Sequence, residues 1–105
     1  MDVIEHTEQR LRLKVGGLAS TAICTLDRAS GTAEIARLAL GIPYRRERVP
    51  LSDIANVVVQ RRKRRKAYQP LIEMRPGTDI PLGHYGKEEA LDAARAIRDF
   101  LRARK

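Results

Sequence analysis

The sequence predicts a mainly β domain that ends in one α-helix. Between Glu8 and Leu82, apolar residues recur in short segments with a period of two, and clusters of Gly, Pro, Asp and Ser separate these segments. Over residues 87–103 the apolar residues recur at intervals of three and four, the spacing of an amphipathic helix. We therefore expect about seven strands followed by a helix that plugs an all-β core.

The first two strands are predicted from alternation between apolar and polar residues. Residues 1–7 form a short polar lead-in, and residues 8–105 form the single domain. The first strand ends at Gly16-Gly17, and the second ends at the turn cluster 27–31, which is typical of a hairpin. The inward residues of these two strands are Leu11, Leu13, Val15, Ala22, Cys24 and Leu26.

The third strand is predicted over residues 32–40. Its apolar residues change phase after Ile35, so we expect a β-bulge near Ala36 or Arg37. The Arg-rich segment 44–49 alternates only weakly and is typical of an exposed edge strand.

The next segment is interrupted at Pro50. Leu51 and Ile54, three residues apart, can both point inward from a single helical turn. The β-branched residues 57–59 then begin a strand, and residues 68–75 form the strand that returns beside it.

A short final strand carries Ile80 and Leu82. Pro70 and Pro81 lack an N–H donor, so we expect both at sheet edges or bulges. Gly86 is an acceptable N-cap for the helix, whose first turn is acidic and whose end is basic, as the helix dipole favours. The apolar stripe of the helix consists of Ala90, Leu91, Ala93, Ala94, Ile97, Phe100 and Leu101.

The positive charge is concentrated in one place. The chain of 105 residues has a formal net charge of +8, and six of its 21 Lys and Arg residues are consecutive. The other 15 exceed the 13 acidic residues by only two. Six like charges repel one another and cannot be buried, so the run must be exposed.

This run is the main candidate for an anion-binding site. Alternation also places Arg46 and Arg48 on one face of their strand, opposite Arg45, where they either join a shared basic surface or form an ordinary exposed edge. The alternative interpretation of the run is a solvated loop that keeps a sheet edge from pairing with other chains. The candidate anion-binding residues are Arg61, Arg62, Lys63, Arg64, Arg65, Lys66, Arg46 and Arg48.

The sequence offers little for catalysis. His6 and His84 are the only histidines, and Cys24 alternates in phase with apolar neighbours, which indicates a small buried side chain. We therefore expect no catalytic residues. We also expect no metal site, because two separated histidines and one cysteine are too few ligands, and no cofactor, because no phosphate-binding glycine loop occurs. The single cysteine and the absence of a secretory signal or a long apolar run favour a cytoplasmic protein.

Several short motifs along the chain carry a resemblance to a known family: Leu26-Asp27-Arg28, Arg45-Arg46-Glu47-Arg48, 49–54, 57–59, Ile80-Pro81-Leu82 and 88–101. Together with the order of elements, these motifs resemble the pleckstrin-homology-like (PH-like) fold, and more narrowly the PH-like domains of uncharacterised bacterial proteins. The resemblance implies about seven antiparallel strands in a strongly bent sheet or partly open barrel, capped by the helix. Phe100 stands where eukaryotic members usually carry Trp, and the first hairpin holds no cation except Lys14 at its edge, so the usual inositol-phosphate pocket is not carried over.

From these features we expect a non-enzymatic PH-like interaction module. Its basic hairpin would dock on an anionic membrane surface, peripherally on the inner face, or on an acidic protein. The alternatives are sequence-independent nucleic-acid binding through the same loop, and a protein–protein scaffold or homo-oligomer in which the cations only aid solubility.

Overall fold

The structure, a computed structural model, describes residues 1–61 and 67–103. Within these residues it has eight strands, one 3-10 turn and one α-helix. The strands are β1 (Asp2–His6), β2 (Arg10–Gly16), β3 (Thr21–Asp27), β4 (Thr32–Ala39), β5 (Ile42–Pro50), β6 (Ile54–Arg61), β7 (Tyr68–Met74) and β8 (Ile80–Pro81); the 3-10 turn is Leu51–Asp53 and the helix is α1 (Lys87–Arg102).

The described strands form two antiparallel sheets and not a closed barrel. Strands β1 to β5 pair in chain order in one sheet, and β6, β7 and β8 pair in chain order in the other. Within each sheet, every strand therefore pairs with its neighbours in sequence, which needs only short connections. The prediction of a mainly β fold with one C-terminal helix is confirmed.

The predicted lead-in is wrong in one respect, because residues Asp2–His6 form strand β1. This strand pairs with β2, with Val3 opposite Leu13. It lies at the edge of the five-stranded sheet, and Val3 and Ile4 are both exposed. Neither face of β1 is buried, so its sequence lacks the alternation that identified the other strands.

The predicted inward residues of β2 and β3 are confirmed as core. Leu13 lies opposite Cys24, which in turn lies opposite Ile35 of β4. All three side chains are at most 1% exposed. After β5, Leu51 is buried and Ile54 packs against the core from its edge, as the spacing of three predicted.

The irregularity predicted from phase is found near the expected position but on the neighbouring strand. The register of β4 against β5 shifts between Arg37 and Leu38, yet the extra residue is Tyr44 of β5, and β4 pairs regularly with β3. The predicted bulge in β4 itself is therefore wrong. Pro81 lies in the edge strand β8. Pro70 lies in the middle strand β7, but the pairing beside it moves by one residue, so its missing N–H falls at an irregular part of the ladder.

Helix α1 packs across both sheets, against β2 of one and against β6 and β7 of the other. Its first turn is held by Glu89, whose Oε2 atom accepts hydrogen bonds from the Met1 amino group at 2.6 Å and from the Gly16 N–H at 3.3 Å. These bonds keep the pKa of the Glu89 carboxyl below its usual value. The buried residues of the helix are Ala90, Ala93, Ala94, Ile97 and Phe100.

Arg28, in the turn between β3 and β4, holds the other end of α1. Its guanidinium carbon lies 4.1 Å from the centroid of the Phe100 ring, and its Nη2 atom donates to the Phe100 carbonyl oxygen at 2.5 Å. Its Nη1 atom donates to the carbonyl oxygen of Glu8. One side chain thus joins the β1–β2 turn, the β3–β4 turn and the end of the helix.

We expect Arg28→Ala to lower the free energy of unfolding by about 2 kcal/mol, because it removes charge-assisted hydrogen bonds and the stacking on Phe100. Urea unfolding followed by circular dichroism measures the change. Arg12→Ala, at an exposed position of β2, is the matched control and should change stability by at most about 0.5 kcal/mol. Equal effects of the two substitutions would contradict this role of Arg28.

Candidate functional site

Two hairpin turns project side by side from one end of the five-stranded sheet. Gly16 at the end of β2 lies opposite Thr21 at the start of β3, and Thr21 lies opposite Leu38 near the end of β4. The turn 17–20 and the turn 40–41 therefore extend beyond the same end of the sheet. The Thr21 hydroxyl donates to the Gly17 carbonyl oxygen at 2.5 Å, which fixes the first turn.

Large apolar side chains are exposed on these turns. We call Leu18, Leu40, Ile42 and Tyr44 the apolar tips; their exposed fractions are 76%, 69%, 68% and 63%. The other large hydrophobic residues with comparable exposure in the described part of the chain are Val3 and Ile4 of β1. Single exposed apolar residues are common, but four at one end form a distinct feature of the surface.

The turn between β4 and β5 has an unusual residue at its apex. Ala39 pairs with Ile42, so Leu40 and Gly41 form a two-residue loop, with φ angles of 50° and 79°. Positive φ at both central residues is the geometry of a type I′ turn, for which Asn-Gly is the preferred sequence. A bulky residue such as Leu is disfavoured in this conformation.

The strand that leads into the basic run ends at the same end of the molecule. Arg61, the last residue of β6, lies opposite Tyr68, and the backbones of Tyr68 and Tyr85 exchange two hydrogen bonds of 2.8 Å. The Tyr85 ring lies against Gly16, where an added Cβ would come within 2.7 Å of the Tyr85 Cε1 atom. Arg61 is exposed, and the candidate residues 62–66 lie outside the described residues.

Tyr85 has a structural role in this arrangement. Its hydroxyl donates to the carbonyl oxygen of Leu82. Burial disfavours the phenolate and raises the pKa of Tyr85 to about 12, so the side chain stays a neutral donor near neutral pH.

The predicted faces of the β5 arginines are confirmed. Glu34 of β4 binds both arginines of the outward face, with 3.1 Å from Arg46 Nε to Oε1 and 3.2 Å from Arg48 Nη2 to Oε2. Arg45 is paired instead with Glu47 at 3.4 Å. The cluster of Arg46, Arg48 and Glu34 therefore carries a net charge of +1, which the sequence analysis did not foresee.

The remaining candidate groups are separated. Cys24 is buried, and burial raises the pKa of its thiol to about 12, so that it remains protonated and acts as a small core side chain. His84 is exposed beside a turn, and His6 lines an open cleft of about 1030 Å³ at the opposite end of the molecule, with Arg28, Asp99 and Phe100. In residues 1–61 and 67–103, no three His, Cys, Asp or Glu side chains cluster as metal ligands would.

Sequence reasoning missed the apolar tips. Isolated apolar residues in turns produce no periodic pattern. The pattern within one strand also does not show which turns lie next to each other in the folded protein. One local signal was available, since Leu40-Gly41 stands where a two-residue hairpin usually has Asn-Gly.

Comparison of the chain with family models, with curated proteins and with solved structures gave no match. Within the described ranges, no helix combines the length and the apolar character needed to cross a bilayer.

Proposed function

We propose that this chain is a non-enzymatic PH-like module that docks on an anionic membrane surface. The PH-like assignment is supported by the seven strands β2 to β8, which form two antiparallel meanders followed by a C-terminal helix. The non-enzymatic assignment is supported by the buried, protonated state of Cys24 and by the wide separation of His6 from His84.

The attraction in this proposal is electrostatic. Six consecutive cations begin at Arg61, and each Lys or Arg close to an anionic leaflet contributes about 1 kcal/mol. Together they supply several kcal/mol, which weakens as salt is added because the screening length is about 8 Å at physiological ionic strength.

The observation that carries the proposal is that Arg61 and the apolar tips lie at one end of the molecule. A lipid surface offers anionic headgroups and apolar chains together, and so suits both features. Nucleic acid is less well suited, because α1 uses its apolar face for the core and Tyr68 is half-buried and poorly placed for base stacking.

We expect the protein to sediment with vesicles that contain phosphatidylglycerol and not with vesicles of phosphatidylcholine alone. Replacing Arg61 to Lys66 by Ser and Gly should abolish most of this binding, whereas replacing the four arginines of the run by lysine should preserve it, because the charge is unchanged. The same proteins are titrated with a labelled oligonucleotide at the same ionic strength.

Tighter binding to the oligonucleotide than to anionic vesicles would favour the nucleic-acid alternative. Unchanged binding of the Ser and Gly variant to every partner would contradict a role for the run and favour a protein–protein scaffold.

We expect Asp2→Asn to strengthen binding to anionic vesicles by about fivefold, because it removes a carboxylate that lies opposite Lys14 at the Gly16 end of the sheet and so raises the net charge there by one. Glu8→Gln is the matched control: it changes the net charge equally, but at the β1–β2 turn, at the opposite end of the sheet. Vesicle titration at one fixed ionic strength measures both. Equal strengthening by the two substitutions would show that net charge alone matters and would contradict this orientation.

A further inference from the structure

The apolar tips are built to project. Leu18 stands on the β2–β3 turn, and Leu40 and Ile42 stand on the adjacent β4–β5 turn, each about two-thirds or more exposed. They sit on the turns of two neighbouring hairpins, so they project from the end of the sheet and not from one of its faces. Separate apolar projections are suited to a deformable surface such as the boundary between lipid headgroups and acyl chains.

Leu40 is kept in this position against the preference of its own backbone. Its φ of 50° places a bulky side chain in the left-handed region, and its 69% exposure means that packing within the fold does not compensate. Asn at the same position would suit the turn better. A residue that lowers stability and contributes little to the core indicates a role outside the fold.

Cations stand directly behind the apolar tips, and Tyr44 is the tip that lies furthest along β5 from the turn. Tyr44, 63% exposed, is followed in β5 by Arg45 and Arg46, and Lys14 is exposed on β2 next to the other turn. Arg61 ends its strand at the same end of the molecule. From the turns inward, the order is apolar side chains, then the amphipathic ring of Tyr44, then cations. This order matches that of acyl chains, interface and anionic headgroups in a leaflet.

From these observations we infer that the apolar tips insert into the anionic leaflet on which the module docks. This inference rests on the proposed membrane docking and adds to it a hydrophobic contribution. Binding then has two parts: an electrostatic part that salt weakens, and an apolar part that persists when charges are screened.

Leu40→Asn tests the inference, because it should change stability and binding in opposite directions. Asn-Gly relieves the strained turn, so the urea midpoint should rise, while affinity for phosphatidylglycerol vesicles should fall about tenfold. Val3→Ser, which removes an exposed apolar residue of the edge strand β1 that lies on neither turn, is the control and should leave affinity within about twofold of the parent.

Insertion can also be observed directly, since the chain contains no Trp. In Leu18→Trp, vesicles should shift the emission to shorter wavelength, and brominated acyl chains should quench it. In Gln9→Trp, at the opposite end, neither change should occur.

The outcomes separate the two proposals. If the parent protein does not bind anionic vesicles, the membrane docking itself is wrong and the insertion with it. If the parent binds, but Leu40→Asn binds equally well and Leu18→Trp shows no shift or quenching, charge-based docking stands and insertion is overturned.

Discussion

The burial of one face of α1 against both sheets is the contact on which the rest of the structure depends. Neither sheet is closed, and the helix covers β2 of the first together with β6 and β7 of the second. The small side chains of its alanines allow the helix to approach the sheets closely, while Ile97 and Phe100 fill the space between the sheets. The helix is also fixed in direction, because Glu89 ties its first turn to Gly16 and Arg28 ties its last turn to the β3–β4 turn.

This fixed direction gives the molecule two different ends. At the Arg28 end, polar and charged groups are engaged in holding turns to the helix. At the Gly16 end, apolar side chains are exposed, and β6 ends in the residue that begins the basic run. The conflict between local preference and observed backbone at Leu40 also lies at this second end, which is where a functional constraint on the sequence is expected.

Much of the fold could be predicted because burial leaves a period in the sequence. Strands with one buried face, such as β2, and the amphipathic helix were recognised from alternation. The change of phase in β4 indicated where the β4–β5 pairing shifts, but it did not show that the extra residue lies on β5. Strand β1 was missed because an edge strand with two exposed faces has no period. The division into two sheets and the pairing of Arg46 and Arg48 with Glu34 depend on which strands become neighbours, and a single strand pattern does not contain this information.

The orientation on the membrane is the most direct test of this account. Amide resonances of the full chain are recorded with anionic nanodiscs that carry spin-labelled lipid. The account predicts selective broadening for residues 17–20 and 40–44, with residues 28–31 and 99–103 unaffected. Broadening at the Arg28 end instead, or broadening spread evenly over both ends, would contradict it.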